Sequence, residues 1–385
     1  MDGGQAIGIV ASLSAGIVGL LATTAAHLKK SLSKQLDLGD PQITGLWWAL
    51  CLTMLPMLPV WGLAIDGYHV KSVMILGSLL STIGLFGLTW RRSYPYALVF
   101  VCFAGLGVGA LGVSSLTLLA DPSWAKPAAS LSIGLFFLTL GMLAGPRVVQ
   151  PLMNKLAFKR TLCLLALICL APAGLIALLT IPLANKPNEE MEVFASATYW
   201  MIGILVFAYP AFETTVGKWT IPYFQQQGFS DRKAFAWLAV FWTAFLISRL
   251  GMTAVFERYP EGRVDSPWFL FTITLGLAIL FGNLAGSAHA TRASLGLILL
   301  GGFLGPLLPV LMALLFRHAV GVSGIAIGTV AAGGFLGVLV WPPLINSYSR
   351  ARSPQHAWRV LAILTLIMVC LVLVIVLTNN HTYQK

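Results

Sequence analysis

Gly141-Met-Leu-Ala-Gly145-Pro-Arg-Val-Val-Gln-Pro151-Leu, at residues 141–152, recurs in altered form as Gly333-Gly-Phe-Leu-Gly337-Val-Leu-Val-Trp-Pro-Pro343-Leu, at residues 333–344. The two stretches match at both glycines, at a valine, at a proline and at the final leucine. The offset between them, 333 minus 141, is 192 residues, which is also about half of the 385-residue chain. A match at this registered offset indicates that the chain contains an internal duplication.

Long apolar runs surround both stretches and leave little sequence between them. The chain is 58% hydrophobic and 10% charged, and about 20 apolar residues in a helix cross the roughly 30 Å hydrocarbon core of a bilayer. Because an open chain satisfies its backbone groups in lipid only as helices, we expect an all-α polytopic membrane protein with twelve transmembrane helices in two pseudo-twofold-related six-helix bundles. The expected spans are 6–29, 42–65, 72–90, 95–119, 127–149, 160–183, 198–222, 233–256, 267–288, 293–316, 321–343 and 357–378.

The longest polar stretch, at residues 184–197, lies at the midpoint of the chain. We therefore expect an N-terminal six-helix lobe at 1–183, a central linker at 184–197, and a C-terminal six-helix lobe at 198–385. Parallel repeats of this kind build two-lobed transporters around a central cavity.

Composition and motifs exclude several classes of function. The net charge of +11 is spread over short loops, so we expect no nucleic-acid partner and instead anionic lipid headgroups or an anionic solute. The five cysteines lie in apolar segments without CxxC spacing, which predicts neither a metal site nor a disulfide framework. No nucleotide-binding or hydrolase motif is present, so we expect a protein that is not an enzyme, has no catalytic residues and needs no cofactor.

The short loop after the second span carries a recognisable pattern, Gly62-Leu-Ala-Ile-Asp66-Gly-Tyr-His-Val-Lys71. It resembles the G-x-L-a-D-r-x-G-r-k signature of the major facilitator superfamily at Gly62, Asp66 and Lys71, and departs from it at Gly67 and His69. In that family the loop acid helps to hold the two lobes together on the cytoplasmic side. The resemblance therefore implies a lobe-interface role for Gly62, Asp66 and Lys71, and cytoplasmic termini.

A finer resemblance lies in the seventh and eighth spans. Glu213-Thr-Thr-Val-Gly217-Lys-Trp219 is similar to the E-x-x-x-G-x-W stretch of sugar:proton symporters related to the fucose permease, and the region from Trp242 to Arg249 is similar to their W…GR stretch. This likeness implies proton-coupled uptake of a sugar.

The distribution of Lys and Arg conflicts with cytoplasmic termini. Cytoplasmic loops normally carry the excess of basic residues, yet more of them fall in the loops that the resemblance places outside. We retain cytoplasmic termini, in a plasma or inner membrane, because the resemblance places the Asp66 loop on the cytoplasmic face of the membrane. The outer vestibule is then basic and would concentrate anions.

Glu213 is the candidate proton-coupling residue. It lies near the middle of its span between Pro210 and Gly217, and ionisable residues inside a bilayer are costly to keep without a function. Desolvation favours the neutral form of a carboxyl group, so such a glutamate can bind and release a proton. The alternative is a structural ion pair with Lys218 or Arg249. Lys218 lies about 140° round the same helix, which is poor geometry for a pair.

The candidate solute-binding residues are two arginines, a lysine and a tryptophan. Arg147 and Arg249 could bind a carboxylate or phosphate bidentately, Lys218 adds a cation, and Trp219 could stack on a sugar ring. The alternatives are snorkelling of Arg147 to the outer headgroups and a lobe-locking contact for Arg249.

Together these features predict a secondary active transporter of a small polar solute, a sugar or a small organic anion, working by alternating access with proton symport. The expected partners are the solute, protons and membrane lipid, and the expected state is a monomer. A proton-coupled exporter of organic or amphipathic compounds is the alternative, motivated by Gly141-x-x-x-Gly145-Pro146, which also resembles a motif of drug antiporters. A non-transporting receptor or scaffold is the alternative from another class.

Overall fold

The computed structural model describes residues 3–90, 93–121, 126–180, 192–259, 264, 266–287, 289–318, 324–350 and 353–382. Within these ranges the regular structure is α-helical apart from one 3-10 turn, Glu192–Ala195. The helices are α1 Gly3–Leu36, α2 Asp40–Gly67, α3 Val70–Gly87, α4 Tyr94–Leu119, α5 Pro127–Ala177, α6 Ala197–Gln226, α7 Asp231–Arg258, α8 Pro267–Gly286, α9 Ala290–His318, α10 Gly324–Arg350 and α11 Pro354–Thr382.

All eleven of these helices are long and apolar enough to cross a membrane. Helix α5 contains two of the expected spans, because Ala157 adopts φ 63° and ψ 160° and separates an arm at 127–156 from an arm at 158–177. A left-handed backbone at a non-glycine residue cannot continue a right-handed helix. With the two arms counted separately, the expected twelve membrane-spanning segments are confirmed.

The contacts divide the chain into two compact units. One comprises residues 1–190 and 321–332, and the other comprises residues 191–320 and 333–385. Most of the expected linker, at residues 184–191, lies outside the described residues, so the expected lobe boundaries stay a prediction.

In the first unit, small residues let helices approach closely. The position of a Cβ on Gly141 of α5 is occupied by the backbone oxygen of Gly16 on α1, and that of a Cβ on Gly19 by the backbone oxygen of Leu138. Helix α3 packs between α4 and α5, and α2 packs on α4. Backbone approach at small residues is the usual way in which helices associate in lipid.

The second unit is built in the same manner. Helix α7 packs on α9, where a Cβ at Gly301 would lie 2.7 Å from the backbone oxygen of Phe241. Helix α8 packs on α11 and α9, and α6 contacts α7, α9 and α11. On α10, Gly337 lies against the backbone oxygen of Phe207 of α6.

A glycine of the repeated stretch packs closely against a neighbouring helix in each unit. Gly141 brings α5 against α1, and Gly337 brings α10 against α6, in each case with a glycine facing a backbone carbonyl. Gly141 and Gly337 are therefore packing residues, whereas a Cβ on Gly333, the counterpart of Gly141, would lie 3.8 Å from the backbone oxygen of Gly203.

Candidate functional site

An acid, a phenol and a guanidinium meet inside the second unit. Tyr209 and Glu213 lie one turn apart on α6, a spacing that puts both side chains on one helix face. The side chain of Glu213 is 20% exposed, whereas Tyr209 is buried. Arg249 of α7 reaches the same point, and its side chain is only 1% exposed. We call these three residues the α6–α7 triad.

Tyr209 is the link between the two charged groups of the triad. Its hydroxyl donates to Oε1 of Glu213 at 2.5 Å, and it accepts from Nη2 of Arg249 at 2.6 Å. The same Nη2 lies 3.7 Å from Oε1 of Glu213. The phenol therefore uses both its donor and its acceptor capacity, and the charge pair is held through it.

Packing with α9 fixes the guanidinium. Nε of Arg249 donates to the backbone oxygen of Gly305 at 3.2 Å, and its Cζ lies 4.6 Å from the ring centroid of Phe245. A Cβ on Gly305 would collide with the side chain of Ser248, so this crossing needs a glycine. A buried cation is tolerated when it is hydrogen-bonded and paired, and Arg249 meets both conditions.

Lys218 and Trp219 follow Glu213 by five and six residues, which is about 8–9 Å along the axis of α6 at a rise of 1.5 Å per residue. Trp219 is 8% exposed, and its Nε1 donates to Oδ1 of Asn346 on α10 at 3.2 Å. Lys218 is exposed, and it is repelled by the like charge of Arg350. Of the two ion pairs considered for Glu213, the described structure contains the one with Arg249.

Arg147 belongs to the first unit. It is exposed on α5, its Nη1 donates to the backbone oxygen of Leu143 at 3.1 Å, and it lines an open cavity of about 440 Å³. The other residues that line the cavity are Pro146, Gln150, Pro151, Asn154 and Lys155.

The signature loop has two separate functions in the first unit. Oδ1 of Asp66 accepts from the backbone N–H of Gly324 at 2.5 Å, and Oδ2 accepts from that of Ile325 at 2.8 Å. The carboxylate thus caps the N-terminus of α10, where the helix dipole also favours its negative charge. Gly62 lies against the backbone of Gly324, with no room for a side chain.

The hydrogen-bond partners of Lys71 differ from those of Asp66. Its Nζ donates to the backbone oxygens of Ala177 at 3.0 Å and Leu179 at 2.8 Å. These carbonyls lie at the C-terminal end of α5, where a cation is favoured by the helix dipole. Lys71 therefore ties the start of α3 to the end of α5.

Solved structures with the same architecture were found. The fucose:proton symporter FucP of E. coli matches with a TM-score of 0.75 and 16% identity, covering 94% of this chain and 97% of that one. The proton:xylose symporter XylE matches with a TM-score of 0.76 and 14% identity, covering 97% and 96%. The human organic anion transporter MFSD10 matches with a TM-score of 0.75 and 16% identity, covering 97% and 100%. The chain has the major facilitator fold.

Comparison of sequences alone gives a shorter match. No protein-family model matches the chain. "Bypass of stop codon protein 6" of Saccharomyces cerevisiae is 25% identical over 189 residues, which is 46% of this chain and 37% of the yeast protein. The match thus spans little more than a third of that relative's length.

Metal ligands are not grouped in the part of the chain that the structure describes. No cluster of three or more His, Cys, Asp or Glu side chains suitable for a metal ion occurs there, and the five cysteines are free thiols.

Three residues that shape the site were not among the predicted ones: Tyr209, Gly305 and Asn346. The four-residue spacing of Tyr209 and Glu213 was a usable signal, because residues at i and i+4 face each other on a helix. Gly305 and Asn346 carry no comparable local signal, since their partners lie on other helices.

Proposed function

We propose that this protein is a secondary active transporter that moves a small polar solute across a membrane by alternating access, with proton symport through Glu213. The observation that carries the proposal is the carboxylate of Glu213, partly exposed near the middle of α6 and bonded to Tyr209 beside the buried Arg249. The major facilitator fold supports the same function, because FucP and XylE are named as proton symporters with this fold.

The triad offers a simple way for a proton to change local structure. With Glu213 ionised, its negative charge balances Arg249 and accepts the hydrogen bond of Tyr209. A proton on the carboxyl group removes that charge, while Arg249 keeps the oxygens of Tyr209 and Gly305 as acceptors. Proton binding thus weakens the link between α6 and α7 without leaving the guanidinium unsatisfied. A change of helix contacts on protonation is what a coupling carboxylate has to provide.

The proposed solute is a sugar or a small organic anion. The names of FucP and XylE support a sugar, and that of MFSD10 supports an organic anion. We propose solute contacts for Arg147, Lys218, Trp219 and Arg249. Trp219 is largely buried, and Lys218 beside it is the more accessible group.

The stretch that motivates an exporter has a packing role. Gly141 and Gly145 face α1, and Gly337, the counterpart of Gly145, faces α6. Since the same stretch packs helices in both units, it gives no separate support for export, and we favour symport. We further propose that lobes at 1–183 and 198–385, joined by the linker at 184–197, form a monomer in a plasma or inner membrane with cytoplasmic termini.

The test begins with ligand-induced thermal stabilisation of the purified protein across a panel of sugars and organic anions. The best ligand is then used, radiolabelled, in proteoliposomes with and without an inwardly directed proton gradient. We expect gradient-driven accumulation by the wild type. Glu213→Gln should abolish this accumulation but keep solute exchange, whereas Glu257→Gln, the same change at an exposed acid near the end of α7, should behave like the wild type. Wild-type accumulation by Glu213→Gln would reject the coupling role.

A further inference from the structure

One face of α5 gathers polar side chains around the open cavity in the first unit. Arg147, Gln150 and Asn154 follow one another at spacings of three and four residues, and Lys155 completes the set. Such spacing places side chains on neighbouring positions of one helix face. All four are exposed and line the cavity of about 440 Å³. We call these four residues the α5 polar face.

The charge of this face is positive, and the described residues that line its cavity include no acid. Its lining residues are two cations, two carboxamides and two prolines. The ion pair between Arg249 and Glu213 lies in the other unit. Arg147 is oriented by a bond from Nη1 to the backbone oxygen of Leu143, and within the described part of the chain its other N–H groups face the cavity side of the helix without a bond of their own.

The internal repeat strengthens this interpretation. Asn346 lies 192 residues after Asn154 (346 minus 154), the same offset that relates the two glycine stretches. In the second unit Asn346 accepts a hydrogen bond from Trp219, and the next residue, Ser347, donates to the backbone oxygen of Leu344. At the equivalent positions of the first unit, Asn154 and Lys155 have no such bond among the described residues and face the cavity. In the second unit these two positions thus form hydrogen bonds within the protein, whereas in the described part of the first unit they line the cavity, where a ligand can reach them.

We propose that the α5 polar face is a binding site for a compact anion that carries a carboxylate or phosphate group. Arg147 would hold the anion through charge-assisted hydrogen bonds, Lys155 would add a second charge, and Gln150 and Asn154 would donate from their amides. The volume falls within the range of roughly 300–1,000 Å³ that is typical of small-molecule sites. The anion is either a free solute or the phosphate of a lipid headgroup, and only the first source rests on the proposed transport function.

The first arm of the test uses free anions. The protein is purified in an uncharged detergent without anionic lipid, and its thermal unfolding is measured in inorganic phosphate and in citrate against chloride at matched ionic strength. We expect stabilisation of the wild type. The double variant Arg147→Gln, Lys155→Gln should need roughly tenfold more anion or higher for the same shift, the scale of one lost charge-assisted hydrogen bond. The control, Arg232→Gln with Lys233→Gln, removes the same charge from exposed positions on α7 and should match the wild type.

The second arm uses lipid. The same proteins are placed in nanodiscs of phosphatidylcholine with or without phosphatidylglycerol, and retained anionic lipid is counted by native mass spectrometry. A difference between wild type and double variant in the first arm identifies a free anion, and a difference in this arm alone identifies a headgroup. If the two proteins respond alike in both arms, the proposal is overturned. Should the double variant not fold, Lys155→Gln alone provides the comparison.

A final variant separates this proposal from the transport function. Glu213→Gln should bind anions like the wild type, since Glu213 belongs to the other unit. Loss of coupled transport with anion binding intact would therefore leave the α5 site standing.

Discussion

The hydroxyl of Tyr209 donates to the carboxylate of Glu213 across one turn of α6, at 2.5 Å. Because the same hydroxyl accepts from Arg249, neither charged residue can be altered without changing the bonding of the other. The relationship makes Tyr209 a positioning residue for the proposed coupling carboxylate, and it can be tested without knowing the solute.

Tyr209→Phe removes one acceptor from Arg249 and one donor from Glu213. We expect the free energy of unfolding to fall by about 1–3 kcal/mol, the cost of leaving buried polar groups unsatisfied. Thermal unfolding in detergent measures the change. Tyr68→Phe is the matched control, because Tyr68 is 82% exposed and should lose almost nothing. Equal losses at the two tyrosines would contradict the bridging role of Tyr209.

Removal of the buried cation should cost more. Arg249→Met leaves Glu213 without its charge partner, and breaking a buried pair from one side costs about 3–5 kcal/mol. Glu213→Gln in the same chain should recover part of this loss, because no unpaired charge then remains. A double-mutant cycle on the unfolding free energy gives the coupling, which we expect to be about 0.5–3 kcal/mol. Simple additivity of the two changes would show that the residues do not interact.

The cap on α10 predicts a local effect. Asp66→Ala removes both acceptors of the N–H groups of Gly324 and Ile325 and should destabilise the protein by about 0.5–2 kcal/mol. Asp66→Asn keeps one acceptor oxygen and should lose less. Hydrogen exchange followed by mass spectrometry should show faster exchange at residues 324–328 in the alanine variant. Unchanged exchange there would rule out capping as the function of Asp66.

The glycines of the repeated stretch should not tolerate even one methyl group. Gly141→Ala and Gly337→Ala place a Cβ on a backbone oxygen of the neighbouring helix, and overpacking of this kind costs about 1–3 kcal/mol. Gly251→Ala and Gly282→Ala are the controls, since a Cβ at either position meets open space. There the higher helix propensity of alanine should leave stability unchanged or raise it by up to about 1 kcal/mol. Thermal unfolding of the four variants decides the matter.

Much of the architecture was accessible from residue types alone. A bilayer requires apolar helices of a minimum length, so the number and order of the spans follow from hydrophobic runs, and they are confirmed. The ends of the spans were less accessible. The expected fifth span ends at residue 149, yet residues 150–156 continue the first arm of α5, because a helix can extend past the length that the hydrocarbon core requires.

The chemistry of the site depended on the packing of helices. From the residue types, Glu213 needed a cation, and helix geometry disfavoured Lys218, but Arg249 lies 36 positions away (249 minus 213). Its contact with Glu213 follows from the way in which α6 and α7 pack with α9, which also provides the carbonyl of Gly305. Hydrophobic length acts along one helix and can be counted residue by residue. A hydrogen bond between two helices forms only if each helix is rotated about its axis so that the side chain faces its partner, and if the helices cross at the right level. Both conditions are set when the helices pack together.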